Sequence, residues 1–324
     1  MKLSTKSLKR LIKGAVYFTE DKGYLSCFRY SREQIEYMAQ ESYDYGWRLR
    51  AMFSGGIRIE LKTEADRISF EYKASGSCDR SNTIDLYENG VLKQVYKIGD
   101  KLKGKVEFML TEGKKRVFVY LPCESRLDIK NFTVNGKYES VKSNGKRLLI
   151  IGDSITQGAG PEISSSAYIN VLSRKTGYNI LGQGVGGYRY EPGDLMKIDG
   201  FEPEKIIVFL GTNYYEEDCL TKCNYDYKRA VEDFYVRITE LYPQAPILSI
   251  TPLWRNNDVD WDRFNWCIDT IKGVCEKYEN VRVVDGLDLV PNVDECFSDK
   301  VHPNAYGSYL LCENLIKYMK EIGF

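Results

Sequence analysis

The chain has 324 residues, enough for two domains with cores of their own, and lysine plus arginine balance aspartate plus glutamate at 46 each. Without net charge there is no field to draw in nucleic acid or an anionic membrane, so the expected partner is a neutral small molecule or oligosaccharide. No stretch has the apolar length that spans a bilayer, and Lys13-Gly14 interrupts Leu11-Ile12 and Ala15-Val16-Tyr17-Phe18, unlike a signal-peptide core.

In chain order, Ser31-Arg32-Glu33-Gln34 has the spacing of a capping box and opens a short helix through Met38. Strand-like runs follow at 57–61, 68–72, 83–87, 91–96, 106–110 and 117–121, with Glu88-Asn89-Gly90 as a hairpin turn between two of them. Short strands at regular spacing predict a β-sandwich. Ser143-Asn144-Gly145-Lys146 is a turn-rich break, which divides the chain into an all-β domain, 1–145, and a second domain, 146–324.

Past the break, strand patterns at 148–151, 178–181, 206–210, 247–251 and 281–285 alternate with helical ones at 165–176, 226–241 and 260–278. Such alternation predicts a parallel sheet covered by helices on both faces. A last helix, 303–322, carries Pro303 in its first turn. Nine cysteines without a repeating spacing fit a reduced, cytoplasmic protein better than a disulfide framework. Cys219 and Cys223 stand four apart, but one histidine in the chain leaves a zinc site unsupported; no metal or other cofactor is expected.

The strand at 148–151 runs into Gly152-Asp153-Ser154-Ile155. A serine there stands where open α/β sheets bind ligands, but its hydroxyl needs a base. The only imidazole is His302, in Asp299-Lys300-Val301-His302-Pro303. A neutral imidazole accepts a proton at physiological pH, and Asp299 is close enough in sequence to orient the ring. The carboxylate also offsets the unfavourable meeting of an imidazolium with a helix N-terminus. Each piece alone has a plain structural reading: Asp153 or Ser154 as a helix cap, His302 as a surface residue opening a helix, Asn213 of Gly211-Thr212-Asn213 as a turn former. Asp153 keeps that structural reading, holding the serine turn by hydrogen bonds.

Gly152-Asp153-Ser154-Ile155, Gly211-Thr212-Asn213 and Asp299-x-x-His302, in this order, resemble the blocks of the SGNH (GDSL) hydrolases. The α/β-hydrolase elbow is set aside, because Thr156 stands where G-x-S-x-G needs glycine. The resemblance implies a flavodoxin-like parallel sheet and an esterase with Ser154, Asp299 and His302 as nucleophile, orienting acid and base. It also implies oxyanion donors at the Ser154 N–H, a glycine N–H of a second block, and the Asn213 side chain. Setting Gly182-Gln183-Gly184-Val185-Gly186-Gly187-Tyr188 against that block puts the glycine at Gly187, with Gly184 and Gly186 as alternatives. Two departures stand out. Tyr214 follows Asn213 where the family often has aspartate, and Gly182 replaces an asparagine that would anchor the loop.

Ile84-Asp85-Leu86-Tyr87 resembles the D-L-Y signature of a jelly-roll-like domain that precedes the catalytic one in a subgroup similar to carbohydrate O-acetylesterases. That implies an acetylated sugar as substrate, and the absence of a long amphipathic insert that would serve as a lipase lid points the same way. A short-chain lipase or thioesterase, and a non-catalytic carbohydrate-binding protein on the same fold, are the alternatives. For substrate contacts the sequence offers Trp254, Arg255 and Tyr214, near Tyr188, Arg189, Tyr190 and Tyr215, since flat aromatics stack on sugar rings and arginine binds hydroxyls. With 25 tyrosines in the chain, core packing competes with that role at each position. The N-terminal domain is open to three roles: completing the site's rim, holding polysaccharide at a distance, or joining two copies as a homo-oligomer.

Overall fold

The computed structural model describes residues 1–40, 46–76, 82–141, 146–214, 226–255 and 259–324. The turn Ser143-Asn144-Gly145, the pair Cys219 and Cys223, and Tyr215 lie outside them.

Two antiparallel sheets make the N-terminal half. One holds β1 (Ile12–Lys13), β4 (Arg58–Thr63), β9 (Lys115–Tyr120), β6 (Thr83–Glu88) and β7 (Val91–Lys97) in that order, with β11 (Tyr138–Ser140) beside β4. The other runs β2 (Tyr17–Asp21), β3 (Tyr24–Phe28), β10 (Arg126–Val134), β5 (Arg67–Ser75), β8 (Lys103–Met109). In β5 the alternate residues Ile68, Phe70, Tyr72 and Ala74 are buried, as the two-residue repeat of a strand requires. They meet Ile59, Leu61, Val117, Val119 and Leu86 of the facing sheet in one core. The turn between β6 and β7 has Asn89 and Gly90 both left-handed, at φ 50° and 85°, the twist a tight hairpin needs. All six strands expected here form. The unassigned β10 puts Leu127 and Ile129 into the same core and is broken by a bulge at Asn131 with φ 55°.

The second half is a five-stranded parallel sheet of β12 (Arg147–Gly152), β13 (Asn179–Gly184), β14 (Lys205–Phe209), β15 (Ile247–Ile250) and β16 (Val281–Val284). Its order is β13-β12-β14-β15-β16, the flavodoxin-like winding. Both faces are covered. Leu149, Ile151, Ile206 and Val208 pack with Val231, Phe234 and Ile271 of the helices Tyr227–Leu241 and Trp261–Cys275. Leu148, Ile150 and Ile207 pack with Leu172, Leu311 and Leu315 of the helices Tyr168–Thr176 and Ala305–Glu321. Asp226 and Asp260 cap their helices by accepting the N–H of Arg229 and Arg263. The last helix starts later than its proline suggested: Asn304 accepts the Gly307 N–H at 2.9 Å and caps it, so Pro303 falls in the preceding loop.

Between β3 and β4 the chain leaves the sandwich. The helix Arg32–Gln40 opens with a reciprocal capping box, Gln34 N–H to Ser31 Oγ at 3.2 Å and Ser31 N–H to Gln34 Oε1 at 3.0 Å. With the short helix Trp47–Ala51 it lies on the parallel sheet, where Tyr30, Ile35, Met38 and Trp47 join Leu149, Ile151 and Leu181. One hydrophobic core therefore contains residues from both halves of the chain.

Candidate active site

At the C-terminal end of β12 the chain turns sharply into the one-turn helix Ser154–Gln157. Gly152 makes the turn possible, since a Cβ there would stand 2.1 Å from Thr156 Oγ1. Asp153 caps the helix by accepting the Ile155 N–H at 3.0 Å, the structural part expected of it. Its carboxyl is buried, which pushes its pKa up to about 6 against the pull of the Ile155 N–H and of the His302 and Arg255 charges.

His302 reaches this turn from the loop before the last helix. Its Nε2 lies 2.8 Å from Ser154 Oγ, and its Nδ1 lies 2.9 Å and 3.1 Å from the two oxygens of Asp299. Asp299 Oδ1 also accepts the N–H groups of Val301 and His302, at 2.9 Å and 2.8 Å. Burial works against the Asp299 charge, but the His302 ring and these N–H groups outweigh it and hold the carboxyl well below the usual carboxylate range. An ionised carboxylate only accepts, so the ring proton sits on Nδ1 and Nε2 is left to take the serine proton. Gly160, at φ 114°, lets its loop pass close to the His302 backbone segment; a Cβ there would lie 3.1 Å from His302 Cβ and 2.3 Å from Pro303 O.

The candidate oxyanion donors stand at the neighbouring strands. Register pairs Gly152 with Gly184 of β13 on one side and Phe209 of β14 on the other, so Ser154, Gly187 and Asn213 all follow the C-terminal ends of three adjacent strands. Of the three candidate glycines, Gly184 lies within β13 and the Gly186 N–H is given to Gln157 Oε1 at 2.8 Å. Among the described residues the N–H groups of Ser154 and Gly187 donate to no protein acceptor. Asn213 gives one amide hydrogen to Tyr188 O at 3.0 Å, and the second has no acceptor among the described residues.

The loop that carries Gly187 is held by the N-terminal half. Arg29, fully buried, donates to Gly182 O at 3.0 Å and Gly184 O at 2.7 Å, and also to Phe53 O and Arg50 O at 2.9 Å each. Gln34 Nε2 donates to Asp194 O at 3.0 Å, and Trp47 lies on the Tyr188 ring at 4.9 Å. The anchor missing with the asparagine at Gly182 is thus replaced by a distant arginine, and Ile169 fills the space: a Cβ on Gly182 would lie 2.0 Å from its Cδ1. Arg29 and Arg50 went unnoticed in the sequence. The available signal was a charge inside the apolar run Cys27-Phe28-Arg29-Tyr30, since a buried arginine needs several acceptors.

The expected substrate contacts are placed differently. Tyr214 is buried, stacked on Tyr190 at 5.7 Å and tilted on Tyr227 at 4.5 Å, and its hydroxyl accepts the Tyr190 N–H. Tyr188, Arg189 and Tyr190 are buried as well. Arg255 is buried and donates to Thr212 O at 2.5 Å, which holds the turn that presents Asn213. Trp254 is half-buried, its Nε1 given to Leu287 O at 2.8 Å and its ring edge-on to Trp261. Core packing and loop anchoring, rather than an open stacking face, account for Tyr214 and Arg255.

The D-L-Y stretch docks the two halves. Asp85 Oδ2 accepts the Ser165 N–H at 2.7 Å, Thr83 Oγ1 accepts the Ser164 N–H at 2.9 Å, and Arg174 lies over the Tyr87 ring at 4.5 Å. Ser164 and Ser165 follow the loop that passes His302 at Gly160, so the sandwich also holds the segment packed against His302 Cβ and Pro303 O.

A flavodoxin-like sheet with this serine, imidazole and carboxylate at its C-terminal edge, behind an antiparallel β-sandwich, defines a hydrolase of the SGNH type. Residues 150–310 match the GDSL-like Lipase/Acylhydrolase family, and this part of the chain belongs to that family. No curated protein matches the sequence. In fold the chain is similar to the salicylyl-acyltransferase SsfX3 from a tetracycline biosynthetic pathway, with TM-score 0.78 and 19% identity over 96% of this chain and 94% of that one. It is also similar to a family two carbohydrate esterase from Clostridium thermocellum in complex with cellohexaose, with TM-score 0.69 and 16% identity over 96% and 98%. A third similar structure is the acetyl xylan esterase Est2A from the rumen bacterium Butyrivibrio proteoclasticus, with TM-score 0.64 and 16% identity over 100% and 98%.

Proposed function

We propose that this protein is a serine esterase that removes O-acetyl groups from carbohydrates through an acyl-serine intermediate. One observation carries the reading: Ser154 Oγ, His302 and Asp299 form a continuous hydrogen-bonded line, 2.8 Å and 2.9 Å at its two links. In the first half-reaction Ser154 Oγ attacks the ester carbonyl carbon while its proton passes to His302 Nε2. The oxyanion that forms is met by the Ser154 and Gly187 N–H groups and the Asn213 amide. Collapse breaks the bond to the sugar oxygen, which leaves with the proton from His302. Water then attacks the acyl-serine and gives a proton to His302; collapse breaks the bond to Ser154 Oγ, which takes that proton back from His302, and acetic acid leaves, ionising to acetate in solution. Asp299 keeps the ring in the tautomer both steps need. The acetylated-sugar part of the reading is supported by the similarity of the whole chain, sandwich included, to two esterases with carbohydrate names.

The test is hydrolysis of p-nitrophenyl esters of increasing chain length, followed by acetate release from acetylated xylo-oligosaccharides. The expected outcome is a preference for acetate that falls steeply with chain length and is lost in Ser154→Ala. A preference for long acyl chains would instead make the protein a lipase or thioesterase, and sugar binding without turnover would make it a carbohydrate-binding protein. The similarity to an acyltransferase favours including alcohol acceptors in the assay, where an acyl product in place of free acid would change hydrolysis to transfer.

A further inference from the structure

The N–H of Gly187 belongs to one peptide unit with the carbonyl of Gly186. That unit is planar and trans, so its C=O and N–H point in opposite directions, and holding one orients the other. Both residues are glycines, Gly187 stands at φ 77°, and a peptide between two glycines rotates with little steric opposition. The preceding peptide is pinned by the Gly186 N–H on Gln157 Oε1, but that bond leaves the next carbonyl free to turn. What holds the Gly186 carbonyl is Arg50, whose Nη1 donates to it at 3.0 Å. The arginine stem lies along the same glycine, with Cδ 3.1 Å from where a Cβ would stand.

Arg50 is itself well placed for this. Its own carbonyl is taken by Arg29 at 2.9 Å, and three residues earlier Trp47 lies on the Tyr188 ring directly after Gly187. We propose that Arg50 is a positioning residue for the esterase reaction: its guanidinium turns the Gly186–Gly187 peptide so that the Gly187 N–H faces the developing oxyanion. A cation on the carbonyl also polarises the unit, which strengthens the N–H as a donor. The inference rests on the esterase reading above, and it gives the N-terminal half of the chain a part in the chemistry.

Arg50→Ala and Arg50→Lys are compared with wild type and Ser154→Ala on p-nitrophenyl acetate, with thermal unfolding measured alongside. An arylboronic acid, which adds to the serine as a tetrahedral mimic, reports on the donors without turnover. In Arg50→Ala kcat falls by about 10- to 100-fold, short of the roughly 10²–10³ lost when a donor is removed outright. KM stays within about twofold, and boronic acid affinity drops by the same factor as kcat. Arg50→Lys recovers part of both. A purely structural role would lower the unfolding temperature and leave kcat and boronate affinity at wild-type values; that result, or a loss confined to KM, overturns the proposal. A wild-type protein that neither hydrolyses the ester nor binds the boronate overturns the esterase reading, and this inference falls with it.

Discussion

The turn that carries Ser154 and the loop that carries Gly187 leave neighbouring strands at the same edge of the sheet, yet they are held by different means. The serine turn is made by its own residues: Gly152 admits Thr156, Asp153 caps Ile155, and the N–H groups of Gly158 and Ala159 close on Ser154 O at 3.0 Å and 2.9 Å. The glycine loop relies on residues far away in the chain, with Arg29 on Gly182 O and Gly184 O, Arg50 on Gly186 O, Gln34 on Asp194 O and Trp47 on Tyr188. The serine turn is therefore built by local sequence, and the glycine loop by tertiary contact with the N-terminal half. Damage to the first should remove activity and spare stability, whereas damage to the second should reach both.

Ser154→Ala makes the first half of that contrast plain. The Ser154 hydroxyl is hydrogen-bonded to His302 and adds little packing, so the variant should unfold at close to the wild-type temperature while kcat falls by about 10⁴-fold or more. A variant with activity above a tenth of wild type would mean that another group is the nucleophile. Arg29→Met tests the opposite case. It leaves the carbonyls of Phe53, Gly182 and Gly184 without their donor, at about 1–3 kcal/mol for each one left unsatisfied, so the combined loss should exceed roughly 3 kcal/mol in a denaturant titration; Arg50 O keeps the Phe53 N–H. A loss under about 1 kcal/mol would show that the loop does not need the arginine.

Asn213→Ala should lower kcat by about 10²–10³, with a small effect on stability because among the described residues its side chain bonds to Tyr188 O alone. Unchanged turnover would remove Asn213 from the set of donors. The last difference is in pH dependence. Burial pushes the carboxyl of Asp194, in the glycine loop, up to about 8 from 3.8, with the Tyr188 hydroxyl at 2.5 Å opposing the rise and the Glu191 charge adding to it. The folded protein thus keeps a proton that the unfolded chain gives up. The neutral carboxyl is without penalty below the unfolded value of 3.8, and stability is lost as the pH rises toward 8, at no more than about 1.4 kcal/mol per unit. Asp194→Asn should flatten the curve of unfolding temperature against pH on the neutral side; a slope equal to wild type would mean that Asp194 is ionised in the folded state. Asp153, raised to about 6, adds the same sign over a narrower window.

What the sequence disclosed follows the same division. The strands with a two-residue or fully apolar pattern, the helices capped by Asp226, Asp260 and Ser31, and the serine and histidine blocks all announce themselves within a few residues, because the forces that shape them act over one or two turns of chain. The placements of Arg29, Arg50 and Arg255 did not. Each is a cation satisfied by carbonyls that only the finished fold brings to it; the apolar neighbours of Arg29 signal burial, but no arginine's neighbours say which carbonyls will receive it. The aromatic residues show the limit from the other direction. Tyr214 and Tyr190 follow the strand ends where ligands bind, but periodicity says nothing of which face of a loop is covered, and the ring cluster with Tyr227 buries both. The D-L-Y stretch was legible as a signature, while its part in docking depended on Ser165, which is 80 residues from Asp85 in the chain.

The most direct measurement is the intact mass of the protein after exposure to a serine-directed fluorophosphonate, followed by identification of the modified peptide. Wild type should gain a single adduct on the peptide that contains Ser154, Ser154→Ala should gain none, and His302→Ala should react far more slowly. An unmodified wild-type protein, or an adduct on a different residue that persists in Ser154→Ala, would contradict the assignment of Ser154 as the group that His302 activates.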